Sequence, residues 1–292
     1  MHLPKISIVI PTYNAALFLG QCLKSIERQD YPNLDVIIID GLSTDATAEV
    51  VARYGRLVTA FVSERDGGQA DAVTKGLRLA TGEIAHWHAA DDLVMPGAFR
   101  RVAEEFSKYP DVDLVFSDGV AFDETRTRLH AGEYVRWVNF WTTLLFFGRF
   151  QSDCAYWRHR ITAQALPLDN TKPLMCDEDF FLRLWSGHKH RWVPEPLGAF
   201  RTRPQQLSAT LPTTHLQQDR RASREGVLRG LNISPCRRAL LRLLWWPHCV
   251  AGTKLAPKML YAYRFGARTL GLDFRRRQYS SWFFEHWARE QV

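Results

Sequence analysis

Ile6-Ser7-Ile8-Val9-Ile10-Pro11-Thr12-Tyr13-Asn14 opens on a β-branched apolar run that a proline stops, and Asp35-Val36-Ile37-Ile38-Ile39-Asp40 repeats the pattern with an aspartate at its end. Between them, Leu17, Leu19, Cys22, Leu23 and Ile26 fall near one face of a helix spanning about residues 16–29. The alternation continues through a helix over 45–54, with Ser43 or Thr44 placed to cap it, a strand over 57–62 and a helix over 70–80. A strand over 84–88, a helix over 96–109 and a strand over 114–117 follow. Strands and helices in turn predict an α/β fold: a Rossmann-like, mostly parallel sheet flanked by helices. The second half is less regular, with an aromatic stretch over 134–141, a strand over 154–158 and a helix over 179–186.

Chemistry gathers just beyond the C-terminal ends of these strands, at residues 11–14, 40–45, 63–69 and 91–92, the edge where open α/β sheets bind ligands. Asp91 and Asp92 are the sharpest of these signals. Like charges that close repel unless a cation lies between them, and hard oxygen ligands suit Mg²⁺ or Mn²⁺ with a substrate phosphate in the shell. The plainer reading is a cap for the helix starting near Pro96.

The 292 residues allow one large domain, or a catalytic unit with an appendage, and the composition (46% hydrophobic, 24% charged, 10 Trp, 9 Tyr, 17 Phe) is that of a folded core rather than a disordered chain. Five cysteines without a Cys-x-x-Cys spacing argue against a disulfide framework or a zinc site and fit a reducing compartment. No secretory leader pattern precedes the first strand and no apolar run is long enough to span a bilayer, so the expected location is the cytoplasm. The net charge of +7 is uneven: through residue 218 there are 23 Lys and Arg against 26 Asp and Glu, and beyond it 15 against 5. Basic character therefore belongs to the tail.

Neither a Gly-x-Gly-x-x-Gly after the first strand nor a phosphate-cradling Gly-x-x-x-x-Gly-Lys-Ser/Thr is present, which leaves an ordinary dinucleotide or triphosphate loop unsupported. Asp40 can accept from a base N–H or a ribose hydroxyl, although Ser43 and Asp45 read equally as caps. Residues 63–76 place Asp71 and Lys75 at i and i+4 on one helical face, a spacing that a surface ion pair also explains. Asp177-Glu178-Asp179 precedes an apolar helix, where acids favour the dipole and where a carboxylate could also deprotonate a hydroxyl.

Taken in order, Ser7 to Asn14, Asp40 to Thr47, Asp66 to Ala72 with Lys75-Gly76, Ala80 to Ile84 and Ala90-Asp91-Asp92 resemble the inverting family-2 glycosyltransferases of the glycosyltransferase A fold, over about residues 5–205. The resemblance implies a nucleotide-diphosphate sugar donor, held by Pro11, Thr12, Tyr13, Asn14, Asp40, Asp66, Gln69, Asp71, Lys75 and Asp91. It implies a divalent cation, Mn²⁺ or Mg²⁺, on Asp92 with Asp91. It further implies a catalytic base in the acidic pair before a helix, here Asp177 with Asp179 second. Three departures stand out: Gly41 where many relatives carry a second acid, Cys176 in a place often held by Glu, and Arg203 where relatives often have His. An Arg cannot ligate a metal but can pair with a departing diphosphate. The implied reaction is a single in-line displacement with inversion at the sugar carbon.

The resulting division is a catalytic domain over 1–218, with a nucleotide-sugar half (1–118) and an acceptor half (119–218), followed by a basic amphipathic helical region over 219–292. In the tail, Arg237, Arg238 and Arg242, then Lys254, Lys258, Arg264, Arg268 and Arg275 to Arg277, are interleaved with Trp, Tyr, Phe and Leu. That pattern suits a helix lying on an anionic membrane beside a lipid-linked glycan acceptor, with residues 137–150 lining the approach. A helical cap on the core is the plainer alternative, and nucleic acid the third. The expected enzyme is thus peripheral on the inner face of a bacterial membrane and builds surface polysaccharide. A sugar-phosphate nucleotidyltransferase and a non-catalytic membrane-binding module are its rivals.

Overall fold

The computed structural model of the chain describes residues 3–117, 119–123, 130–131, 140–146, 152–204, 206 and 213–250. In order the elements are β1 (Ile6–Thr12), α1 (Ala16–Glu27), β2 (Leu34–Asp40), α2 (Thr47–Arg53), β3 (Val58–Ser63), α3 (Gln69–Leu79), β4 (Ile84–Trp87) and β5 (Leu93–Val94). Then come α4 (Ala98–Lys108), β6 (Leu114–Ser117), β7 (Val120–Asp123), β8 (His130–Ala131), α5 (Phe140–Phe146) and β9 (Ala155–Arg158). The last are α6 (Cys176–Trp185), β10 (His190–Val193), β11 (Gly198–Thr202), α7 (Thr213–Gly230) and α8 (Pro235–Val250).

Among the described residues seven strands form one sheet, in the order β10-β6-β9-β4-β1-β2-β3. β1, β2, β3 and β4 are mutually parallel where they pair, as are β6 and β10, while β9 enters antiparallel between β4 and β6. The period of two in a strand sends Ile6, Ile8, Ile10, Val36 and Ile38 to one face, against Leu19, Leu23 and Ile26 of α1 and Phe99, Val102 and Phe106 of α4. Val9, Trp87, Phe116 and Trp157 take the other face, against Val73 and Leu77 of α3 and Phe180, Phe181 and Trp185 of α6. Each such side chain contributes about 1.5–3 kcal/mol on burial. Gly76 lets α3 lie this close: a Cβ there would stand 2.3 Å from Val9 Cγ1.

Two capping expectations are corrected. The helix after the Asp pair starts at Ala98 behind Gly97, whose φ of +77° supplies the turn, so neither Asp91 nor Asp92 caps it. α2 begins at Thr47, and Asp45 rather than Ser43 or Thr44 serves its start, with Oδ1 accepting from Thr47 N–H at 3.0 Å while Oδ2 accepts from Ala16 N–H at 3.0 Å. α6 starts at Cys176, earlier than the sequence pattern suggests, which brings all three acids into its first turn.

A second, four-stranded sheet runs β5-β11-β7-β8. Its strand β5 consists of Leu93 and Val94, read from sequence as part of a turn, and β11 pairs antiparallel with it through Gly198 opposite Val94 and Ala199 opposite Leu93. The chain between β4 and β5 thus passes from one sheet to the other, and Asp91-Asp92 sit on that passage. α7 runs unbroken across residue 218, so the boundary drawn there from charge falls inside a helix. Leu144, Leu145, Leu182, Val227 and Leu228 join α5, α6 and α7 in one apolar cluster, with Phe140 and Trp141 partly buried against it. The rest of the 134–150 stretch and the tail beyond residue 250 lie outside the described residues. No helix among the described residues is long and apolar enough to cross a membrane.

Candidate active site

The β1 and β2 loops are tied together by short polar side chains. Ser43 Oγ accepts from Asn14 N–H at 2.8 Å, and Asn14 Oδ1 accepts from Thr44 N–H at 2.9 Å. Asn14 takes a left-handed φ of 46° and Leu42 one of 61°. Pro11 and Thr12 are buried at the end of β1, while the Tyr13 ring is 66% exposed. Asp40 lies beneath them: Oδ1 accepts from Ser43 Oγ, and Oδ2 accepts from Ser43 N–H at 3.0 Å and Ser63 Oγ at 2.7 Å. With 2% exposure and both oxygens engaged, Asp40 braces the β1, β2 and β3 loops.

The loop from β3 to α3 places Asp66 beside Gly41, where a Cβ would meet Asp66 Oδ2 at 3.0 Å. Asp66 thus fills the space beside Gly41 from the next loop. Asp66 Oδ1 accepts from Gly68 N–H at 2.9 Å, and Asp71 Oδ2 accepts from Gly67 N–H at 3.0 Å. That last bond, helped by Lys75 at 3.2 Å, holds the Asp71 carboxyl below the usual range. Lys75 also meets Glu64 at 2.8 Å. Gln69 opens α3, and its Oε1 lies 3.9 Å from Cys176 Sγ, which joins this loop to the first turn of α6.

In that turn the three acids have different fates. Asp179 Oδ1 accepts from Lys172 Nζ at 2.8 Å and Oδ2 from Arg183 Nε at 2.9 Å. Glu178 accepts from Arg220 Nε at 2.8 Å and Arg224 Nε at 2.9 Å, both on α7. Asp177 has no ion pair among the described residues; its Oδ1 accepts from Glu178 N–H at 2.7 Å, and burial pushes its carboxyl up to about 6. A carboxyl that is mostly ionised at neutral pH, takes up a proton readily and holds no ion pair among the described residues has what a general base needs. Asp179 lacks that freedom. A cavity of about 700 Å³ lies beside it, lined by Leu168, Asn170, Lys172, Arg183, Val227 and Leu231 and by neither Tyr13 nor Asp91.

The Asp91-Asp92 corner divides in the same way. Antiparallel pairing of β5 with β11 carries Arg201 back to it: Arg201 N–H donates to Asp92 Oδ1 at 2.8 Å, and Arg201 Nε donates to the Asp91 carbonyl at 2.7 Å. Asp92 is 2% exposed, and burial, followed by the carboxylates of Asp153 and Asp91, pushes its carboxyl far up. Asp153, in the turn before β9, is itself pushed up to about 6 by burial. Asp92 is thus an internal acid held by β11. Asp91 stays partly exposed and pairs through Oδ2 with Arg203 Nη2. The guanidiniums of Arg201 and Arg203 each lie 4.7 Å from the Phe18 ring.

The glycosyl transferase family 2 model matches residues 7–166. This chain belongs to that family. It is 30% identical over 200 residues to a PGL/p-HBAD biosynthesis glycosyltransferase of Mycobacterium tuberculosis, a match covering 64% of this chain and 72% of that protein. Among solved structures, the fold matches Staphylococcus aureus TarS residues 1–349 in complex with UDP-GlcNAc (TM-score 0.65, 14% identity, 94% of this chain and 77% of that one). It also matches the mannosyltransferase PcManGT of Pyrobaculum calidifontis in complex with GDP-Man and Mn²⁺ (TM-score 0.57, 20% identity, 100% of this chain and 85% of that one). The longer TarS chain is spanned to 42%. The protein is a glycosyltransferase of the glycosyltransferase A fold, as its sequence order implies.

A divalent ion of the kind seen in PcManGT requires several oxygen ligands. Among the described residues no three His, Cys, Asp or Glu side chains gather into a metal site. The nearby His88 is wholly buried, turns Nδ1 to His86 Nε2 at 3.2 Å, and is pushed down to about 4 by burial. Asp91, the accessible acid, already holds a guanidinium. The donor set at this corner does not fit a resident divalent ion.

Proposed function

We propose that this family-2 glycosyltransferase takes its sugar from a nucleoside-diphosphate donor at the loops after β1 to β4 and passes it, with inversion, to a hydroxyl of a glycan or lipid-linked glycan. Asp177 takes the proton from that hydroxyl, the freed oxygen attacks the anomeric carbon, and the bond to the diphosphate breaks on the opposite face, its electron pair leaving with the phosphate. Tyr13 stacks on the base, while Asn14, Asp66, Gln69 and Asp71 position the nucleoside. Asp91 and Arg203 attend the phosphates.

The observation that carries this reading is that Asp177 alone, of the three acids in the α6 turn, has no ion pair among the described residues. A thermal-shift screen of nucleoside diphosphates and nucleotide sugars tests the donor, because a ligand bound by the native state raises the melting point. A shift with nucleoside diphosphates, largest for the base of the true donor, is the expected result; no shift with any of them would overturn the donor assignment.

A membrane-surface acceptor is supported by α8, where Arg237, Arg238 and Arg242 accompany Leu240 (55% exposed) and Leu243 (71% exposed). Cosedimentation with anionic but not zwitterionic vesicles is expected, and equal partitioning to both would remove this support.

A further inference from the structure

We propose that Arg203, seated on Asp91, is the catalytic cation that this enzyme sets against the leaving diphosphate in place of a divalent ion. The inference rests on the donor reading above and deepens it. Three contacts fix the residue: Nη2 donates to Asp91 Oδ2, the guanidinium lies 4.7 Å from the Phe18 ring, and the backbone N–H donates to Gln206 Oε1 at 2.9 Å.

Its Nε is buried without a partner among the described residues, while the side chain as a whole stays 28% exposed. An unpaired donor on a planar, permanently charged fork is suited to phosphate oxygens, which such forks bind in a bidentate way. Asp91 holds this guanidinium through Oδ2, so an ion bound by the same carboxylate would stand beside a fixed positive charge. Asp92 offers no substitute, since β11 holds it inside. Arg201 lies in β11 and Arg203 one residue past its end, so the strand that covers Asp92 leads directly to the cation on Asp91. As the anomeric C–O bond breaks, its electron pair adds charge to the diphosphate, and a preplaced guanidinium stabilises that charge without reorganising.

The test is calorimetric binding of UDP and GDP to the full chain, in EDTA and in saturating Mn²⁺. The inference expects affinities equal within about threefold in the two buffers. It further expects a loss of at least about tenfold for Arg203→Ala and a partial loss for Arg203→Lys, which keeps the charge without the fork. Arg203→His is expected to acquire Mn²⁺-dependent binding. Circular dichroism melting of each variant shows whether the fold survives. If Arg203→Ala does not fold, the wild-type buffer comparison and Arg203→Lys decide alone. Binding that requires Mn²⁺, or that ignores removal of the guanidinium, would overturn the inference and leave the donor reading intact. Absence of binding in both buffers would bring down the donor reading, and this inference with it.

Discussion

Two acidic clusters, Asp91-Asp92 between the sheets and Asp177-Glu178-Asp179 at the head of α6, look alike in sequence but are neutralised differently. In the first, the inward acid is held by the Arg201 backbone and the outward one takes the Arg203 guanidinium. In the second, two acids are bound by four cations from the same helix, the preceding loop and α7, and the remaining one has no ion pair among the described residues. A carboxylate holding a guanidinium can position a charge, whereas one without a partner can move a proton. The difference in partners separates the roles.

The strongest way to break this comparison is Asp177→Asn. Loss of a general base is expected to lower turnover by about 10²–10⁴-fold. Because burial raises this carboxyl, removing its charge should leave the melting temperature at neutral pH unchanged or higher. Asp179→Asn should do the reverse, keeping the base while loosening Lys172 and Arg183. If the first variant retained turnover and the second lost it with an intact fold, the base would be Asp179.

Glu178→Gln sharpens the other half. Arg224 is nearly buried and would lose its counter-charge; breaking such a pair costs about 3–5 kcal/mol. Urea unfolding should show the loss as a lower midpoint, with a smaller effect from Arg221→Ala, whose pair with Glu225 is exposed. An unchanged midpoint for Glu178→Gln would mean that α7 does not anchor the catalytic helix.

The pH dependence follows from Asp153 and Asp177, both pushed up to about 6 by burial. A carboxyl raised on folding binds its proton more tightly in the native state. Its stability is therefore present at low pH and disappears as pH rises from the ordinary carboxylate range through about 6, by up to about 3 kcal/mol for each group. Thermal melts between pH 4 and 8 should show this decline, flattened in Asp153→Asn and Asp177→Asn. Turnover should run the opposite way, rising through about pH 6 as Asp177 ionises. A flat rate profile would remove Asp177 from proton transfer.

Much of the first half is legible because β1 and β2 are β-branched runs; Asp40 ends the second, whereas Pro11 does not stop the first, which continues through Thr12. β5 is not legible in this way, since two residues carry no periodicity and the partner strand β11 is far along the chain. Asp92 looks like a ligand in sequence because nothing local says that Arg201 and Asp153 will enclose it. The alternation Phe200-Arg201-Thr202-Arg203 did hold a signal, two arginines spaced by two at the end of a strand, which points to both residues and not to Arg203 alone. Antiparallel insertion of β9 depends on pairing partners on both sides, beyond any reading of 154–158 alone.

The smallest expected effect concerns Tyr13. Its backbone is pinned between Thr12, buried at the strand end, and Asn14, bonded to the β2 loop through Ser43 and Thr44, while the ring remains 66% exposed. Exposed aromatic surface contributes little to the fold, so Tyr13→Ala should leave the melting temperature of the free protein nearly unchanged. A base stacked on that ring would lose about 1–3 kcal/mol of binding, and Tyr13→Phe, which keeps the π face, should lose little. Because stacking tolerates any base, the loss should be similar for UDP and GDP. A loss confined to one of them would assign the ring to base selection through its hydroxyl, and the Phe variant would then fail alongside Ala.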